Sequence, residues 1–318
     1  MAARSVEREN RNAPNVSWLT SVPRPRKKRS GFLEQGGAME QGTDQNRAAV
    51  ELRKGLYLVP GHNPSPMTGA GTNTYLLGER SPVLIDTGAG NPSYLAALQA
   101  CLQRYALGPL RAILLTHGHP DHVGSCDLLR QHFPQVTIYK MPLTGRAEHF
   151  RSPFSPLQEG DRIQGDGFTL QVMYTPGHAR DHLCYYLPEE RLLFSGDLIA
   201  GTGTVVISPE GGGLSAYLHS LERLLQLDIA SIYPAHGPVI TRPQEKIRAY
   251  IAHRQMREAQ VLAALTQGAT TVSSIVRRIY TDLSPSLYRI AERSILSHLL
   301  KLEEEGRVVR AGEEFRLV

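Results

Sequence analysis

The stretch Leu115-Thr116-His117-Gly118-His119-Pro120-Asp121-His122 constrains this chain more than any other. Three imidazoles and a carboxylate follow directly on the apolar run Ile113-Leu114-Leu115, and Pro120 is a residue that opens helices. The fold must therefore end a buried strand at a polar loop and start a helix at once. Imidazole nitrogen and carboxylate oxygen suit a catalytic zinc, and a set with no thiolate suits hydrolysis better than redox chemistry. His117 and His119, alternate residues of an extended loop, can share one ion. Asp121 and His122 then face a second ion.

Three more segments place such groups where strands end beside Gly or Pro: Thr175-Pro176-Gly177-His178, Phe194-Ser195-Gly196-Asp197 and Tyr233-Pro234-Ala235-His236-Gly237. A lone histidine at a strand end is ordinarily structural. Following the dense motif in this order, the three predict a dinuclear site. Three His with one Asp at one ion, and Asp, His, His with that same Asp at the other, use all seven groups. Asp121 and Asp197 are its candidate catalytic carboxylates.

Short β-rich runs are read at 55–59, 73–77, 82–86, 111–115, 136–140, 169–174, 183–187 and 191–195, with helices at 92–105, 122–133 and 215–227. Strands outnumber helices and the early ones follow one another through tight turns. This predicts a mixed α/β layered sandwich of two sheets flanked by helices, and not a doubly wound parallel sheet. From Pro243 the pattern changes to helices at about 244–266, 272–280 and 285–302, then a hairpin around Ala311-Gly312: a winged-helix-like module. The expected domains are a disordered basic lead-in at 1–49, a catalytic domain at 50–242 and the winged-helix-like domain at 243–318.

The net charge of +5 belongs to the lead-in, since residues 1–35 carry eight Lys or Arg against three acids and the remainder sums to zero. The body is thus not a basic nucleic-acid-binding surface. The run Arg24 to Ser30 is read as a solvated tail without a specific partner, and Met39 is left open as the true start. No apolar stretch reaches membrane-spanning length and no apolar core follows the basic residues as in a signal peptide, so a cytoplasmic protein with no membrane partner is expected. Three cysteines without CxxC spacing indicate neither a disulfide framework nor a thiolate zinc site, and Cys126 and Cys184 read as core residues. No role is argued for His62, His132, His149, His219, His253 or His298.

The order of these motifs, with Ile85-Asp86-Thr87-Gly88 ahead of them, resembles the metallo-beta-lactamase superfamily over residues 55 to 240. The resemblance implies an αββα metallo-beta-lactamase sandwich carrying the C-terminal winged-helix-like domain. It also implies two Zn2+ per chain, one held by His117, His119 and His178, the other by Asp121, His122 and His236, with Asp197 bridging. Asp86 matches the family's buried acid and would orient ligands from behind; on residues alone it reads equally as a turn Asp. His182 is assigned to outer support or plain structure ahead of a leaving-group acid.

Gly61 to Thr68, Gly71 to Leu76, Gly237-Pro238-Val239-Ile240 and the tail resemble the beta-lactamase-like protein two subfamily. Its relatives include a zinc-dependent endoribonuclease acting on single-stranded RNA and fungal thioesterases that release polyketides from acyl carrier protein. Relatives often carry a bulky aromatic where this chain has Gly118. Only 38 residues separate Asp197 from His236, too few for the inserted domain of the larger RNA-processing nucleases. No flavin domain follows, and with no export signal β-lactam hydrolysis is not the expected task.

The leading expectation is an endoribonuclease cutting single-stranded RNA with a metal-bound hydroxide; the alternative is an acyl-thioester hydrolase, glyoxalase-like or acting on acyl carrier protein. A small-molecule-sensing regulator is a third reading, disfavoured because a sensor needs no activated water. Arg289, Arg293 and Lys301 share a face of helix 285–302 and could meet phosphates. A solvated helix balanced by Glu292 and Glu303 to Glu305 accounts for the same charges and is preferred. A homodimer is left open.

Overall fold

The computed structural model describes residues 48–143 and 148–318. The basic run 24–30 and Met39 lie outside the described residues. The strands are β1 (Val50–Arg53), β2 (Leu56–Pro60), β3 (Asn73–Leu77), β4 (Val83–Ile85), β5 (Ala112–Leu114), β6 (Thr137–Lys140), β7 (Ser155–Pro156), β8 (Arg162–Gln164), β9 (Thr169–Tyr174), β10 (Leu183–Leu187), β11 (Leu192–Gly196), β12 (Ser231–Pro234), β13 (Val308–Ala311) and β14 (Glu314–Leu317). The helices are α1 (Pro92–Arg104), α2 (Pro120–Val123), α3 (Cys126–His132), α4 (Gly213–Leu225), α5 (Pro243–Thr266), α6 (Val272–Ile279) and α7 (Tyr288–Glu304).

β4, β5, β10 and β11 are buried on both faces, so each sheet needs a helical layer outside and a second sheet inside. One sheet runs β1 to β7 in chain order, antiparallel through β4 and parallel from β4 to β7. The other runs β12-β11-β10-β9-β8, antiparallel except for β11 beside β12. Tyr75, Leu77, Ile85 and Leu114 of the first sheet meet Val172, Tyr185, Leu187 and Phe194 of the second. On the first sheet's outer face, Tyr94 and Leu98 of α1 pack on Leu76, Leu84 and Ile113. Beyond the second sheet, Tyr217, Leu221 and Leu224 of α4 and Ile247 and Tyr250 of α5 cover Cys184, Leu193 and Ile232. The result is the four-layer αββα sandwich.

The second half of α5 enters another core. Val261 and Leu265 pack with Ile275 and Val276 of α6, Ile295 and Leu299 of α7, and Val308 and Phe315 of the β13–β14 hairpin. Three helices and a hairpin around one apolar centre make the winged helix. No described helix is long and apolar enough to cross a membrane.

The expected helix 122–133 is divided into α2 and α3. A Cβ on Gly124 would lie 2.4 Å from the Ala89 carbonyl carbon, and Gly124 N–H donates to Gly88 O at 2.9 Å. The chain is pinned there against the loop after β4, which interrupts the helix. β1, β7 and β8 were not among the expected strands, and β12 was expected only as a strand ending at Tyr233-Pro234. The first three are two to four residues long and largely exposed, too short for an apolar pattern to mark them as strands.

Candidate metal centre

Five strand ends deliver the site. Asp86 follows β4, the His117–His122 loop follows β5, His178 follows β9, Asp197 follows β11 and His236 follows β12. The structure brings the seven expected groups into two clusters, His117, His119, His178 and Asp197 in one and Asp121, His122 and His236 in the other. Asp197 lies between them: its Oδ2 is 3.3 Å from His178 Nε2, and its Oδ1 is 3.2 Å from His236 Nε2 and 3.5 Å from His122 Nε2. Its approach requires glycine before it. Gly196 has φ +47°, and a Cβ there would meet His182 Nε2 at 2.7 Å and Thr116 Cβ at 2.8 Å.

The ring nitrogens show what these clusters can hold. His178 Nδ1 faces Val206 O at 2.9 Å, and a carbonyl only accepts, so Nδ1 carries the proton and Nε2 offers a lone pair. Thr116 donates its hydroxyl to Asp86 and therefore accepts from His117 Nδ1 at 3.0 Å, which leaves His117 Nε2 a lone pair as well. Both lone pairs point at His119 Nδ1, from 2.8 Å and 2.9 Å. One His119 proton satisfies only one of them. In the second cluster His122 Nδ1 is 2.8 Å from Asp86 Oδ2, and its buried Nε2 and Asp197 Oδ1 have no hydrogen-bond partner. Asp121 Oδ2 lies 3.3 Å from His236 Nε2. Acceptors turned on one another in this way fit a cation at each cluster.

The charges agree. Burial, with neighbouring imidazoles, holds His117 well below the usual histidine range and His119 down to about 4, both neutral as ligands must be. Burial opposes charge on His236 too, but the Asp121 and Asp197 carboxylates, 3.3 Å and 3.2 Å from its Nε2, carry it up to about 10. His122 is likewise raised by Asp86 and Asp197 against its burial. Asp121 falls to about 2 and Asp197 is held well below the usual carboxylate range, since contacts with His122 and His236 outweigh burial. Positive charge is drawn to these carboxylates, a proton standing where a metal ion would.

Asp86 sits behind the histidine loop. Its carboxylate accepts from Thr116 N at 2.8 Å and contacts His122, in a backbone conformation with φ +61° that a non-glycine residue seldom adopts. His182 is buried, its Nε2 accepting from Asp197 N–H at 3.1 Å and its Nδ1 facing Thr175 Oγ1 at 2.9 Å. With both nitrogens engaged away from the cavity it supports Asp197 and is no leaving-group acid.

The segment 61–76, read only as a family likeness, also supports the site. Asn63 holds Thr72, Thr72 Oγ1 donates to Asp121 Oδ2 at 3.3 Å, and Gly71 O faces His236 Nδ1 at 3.3 Å. Thr116 was missed as well, although it lay inside the motif. Its signal was a hydroxyl at the strand end beside a buried acid.

A cavity of about 970 Å³ opens over the clusters, lined among others by Met67, Leu143, Arg180, Val206, Glu210 and Arg293. Arg293 comes from α7 and pairs with Glu210 at 2.9 Å. Arg289 lies farther out, in a groove shared with Arg293, Arg310 and Glu313. Lys301 does not join them. It is tied to Glu258 at 2.5 Å and Glu305 at 2.8 Å and lines neither space, because two further turns of α7 carry it into the packing against α5.

The description "Metallo-beta-lactamase superfamily" matches residues 67–236, and "Beta-lactamase associated winged helix domain" matches residues 271–316. The beta-lactamase-like protein 2 homolog of Caenorhabditis elegans is 38% identical over 257 residues, covering 79% of this chain and 84% of that protein. Lactamase-like protein aptB of Emericella nidulans is 34% identical over 273 residues, covering 81% of this chain and 84% of its own length. A crystal structure of a metallo-beta-lactamase family protein from Thermus thermophilus superposes with a TM-score of 0.70 at 26% identity, over 84% of this chain and 100% of that one.

Proposed function

This chain belongs to the metallo-beta-lactamase superfamily, close to the beta-lactamase-like protein 2 homologs, and on that premise we propose that it is a dinuclear zinc hydrolase that cuts single-stranded RNA internally. The reading rests on the two clusters of lone pairs and carboxylates that share Asp197. His117, His119, His178 and Asp197 would hold one ion, and Asp121, His122, His236 and Asp197 the other. Zn2+ is the ion proposed for this nitrogen and oxygen set. Two such ions supply Lewis acidity toward a phosphoryl or carbonyl oxygen and bring the pKa of water toward neutrality.

The chain's own residues do the rest. Asp86 and Thr116 orient the His117 and His122 rings from behind, and Asn63 and Thr72 set Asp121. Asp121 and Asp197 stay ionised across the neutral range, so they act as fixed negative charge and do not relay protons. Arg180 and Arg293 stand at the cavity wall, where a guanidinium can take two phosphate oxygens. Arg293 also opens onto the groove of Arg289 and Arg310, which gives a strand longer than one nucleotide a second foothold. A cytoplasmic location belongs to the same proposal.

A second reading, hydrolysis of an acyl thioester, is favoured by the apolar stretch of the cavity wall at Met67, Leu143 and Val206. The deciding experiment is cleavage of end-labelled single-stranded RNA by zinc-loaded protein. Internal cutting by the parent is expected, with at least a 100-fold loss in both Asp197→Ala and His119→Ala. Intact RNA, from protein verified to carry two ions per chain, transfers the proposal to thioesters. Full activity in both variants removes the metal assignment itself.

A further inference from the structure

Between Asp197 and α4 the chain runs through an irregular segment, residues 200–208, outside the sheets. Its backbone groups must find partners elsewhere. They find them on one stripe of α5, at residues four apart. Lys246 Nζ donates to Gly201 O at 3.2 Å, the Tyr250 hydroxyl accepts Ala200 N–H and has Gly203 O at 3.0 Å, and Arg254 Nη2 donates to Val205 O at 2.6 Å. From α7, Ser297 Oγ donates to Ile207 O at 3.1 Å. The carbonyl between the last two, Val206 O, is the one that takes the His178 Nδ1 proton.

Successive carbonyls of an extended segment point to opposite sides. Those of Val205 and Ile207 are taken by the helices and that of Val206 by the metal centre, so a wall one peptide thick separates the two. Arg254 is the costly part of this arrangement. It is 4% exposed, its Nε has no partner, and among the described residues it has no carboxylate partner. Besides the carbonyl it has the Tyr217 ring, 5.3 Å away. A buried guanidinium without a counter-charge is unfavourable enough that packing alone would not justify it.

We propose that Arg254 and Ser297 are positioning residues for the metal centre. They fix the Val205–Ile207 wall so that Val206 O holds the His178 ring with Nε2 aimed at His117, His119 and Asp197. Through this wall the C-terminal helices help to support the ion of the His178 cluster. This inference rests on the reading of the clusters as metal sites, and the first measurement separates the two.

Metal-free protein is titrated with Zn2+ against a chromophoric chelator, and with Co2+ followed by its visible absorption bands. Parent protein that takes up no metal defeats the metal reading itself. If the parent takes up two ions, Arg254→Met is expected to weaken one of them 10- to 100-fold and leave the other within threefold, as loss of an outer support does. The Co2+ bands of that one site should shift, and Arg254→Lys should recover part of the loss. Ser297→Ala, which strands no buried charge, should weaken the same ion at least threefold and decides the matter if Arg254→Met does not fold. Arg257→Ala, on the same helix but set over Tyr280, serves as the control. Unchanged affinity and spectrum in Ser297→Ala, together with unchanged affinity in any folded Arg254 variant, would overturn the proposal even if both proteins melt at a lower temperature.

Discussion

At Gly118 the histidine loop packs closely against a buried ion cluster. A Cβ there would lie 3.1 Å from Asp181 Oδ2 and 3.3 Å from Lys140 Cε, so a larger side chain would displace both. Lys140 is 1% exposed, and its ammonium is 2.6 Å from Asp181 and 3.0 Å from Glu148. A buried ion cluster occupies the space beside the histidine loop. Removing its one cation strands two carboxylates, so Lys140→Met should cost about 3–5 kcal/mol in urea unfolding of the metal-free protein. A loss below about 1 kcal/mol would mean that the cluster is no better than an apolar filler. Six of the seven ligand candidates were legible because each stands beside a Gly or Pro at or just past the end of an apolar run, and His122 was legible from its place in the dense motif. Apart from Asp86 and His182 their supports were not, since Asn63, Lys140 and Arg254 reach the site from distant sequence and their neighbours give no local signal. Lys301 shows the converse error, where a shared helical face promised a shared surface and tertiary packing removed it.

Among the elements, α7 carries a histidine that the sequence left without a role. His298 is buried at the junction with α5. Burial, then Arg254, His253, Lys301 and Arg257, hold it down to about 3. Folded protein keeps it neutral while the unfolded chain titrates near the ordinary 6.5. The stability it contributes is thus complete above pH about 6.5 and is lost as pH falls toward about 3. Between pH 7 and pH 5 the parent should lose about 2 kcal/mol more than His298→Leu, with both measured metal-free by urea unfolding. Equal losses would show that His298 takes its proton in the folded state. Apolar periodicity made the strands from β2 to β6 and β9 to β11 readable, and both long C-terminal helices with them. It missed β1, β7 and β8, whose pairing is set by neighbours and not by an apolar face. Nor did periodicity report the break at Gly124, which a contact with the Ala89–Gly90 loop creates.

For the whole molecule, charge distribution decides what an RNA reading must look like in solution. The chain's surplus of +5 lies in its first 35 residues, so beyond them the acids equal the bases. The groove beside the cavity repeats this balance, with Arg289, Arg293 and Arg310 facing Glu210, Glu292 and Glu313. Arg293 is already paired with Glu210 and would have to exchange a carboxylate for a phosphate. Affinity for RNA should then come from a few contacts at the cavity and not from a general attraction. Arg180, Arg289, Arg293 and Arg310 meeting one phosphate each set an upper limit of about −3 for the slope of log K against log salt on a single strand. Arg289→Ala with Arg293→Ala should reduce that slope by about 1.4 and weaken binding alike for every sequence. Fluorescence anisotropy of a labelled oligonucleotide between low and moderate salt measures both. A slope that the double variant leaves unchanged would remove Arg289 and Arg293, and with them the C-terminal helices, from the RNA path. They would keep the task given them by the Val205–Ile207 wall, holding a metal ligand from behind.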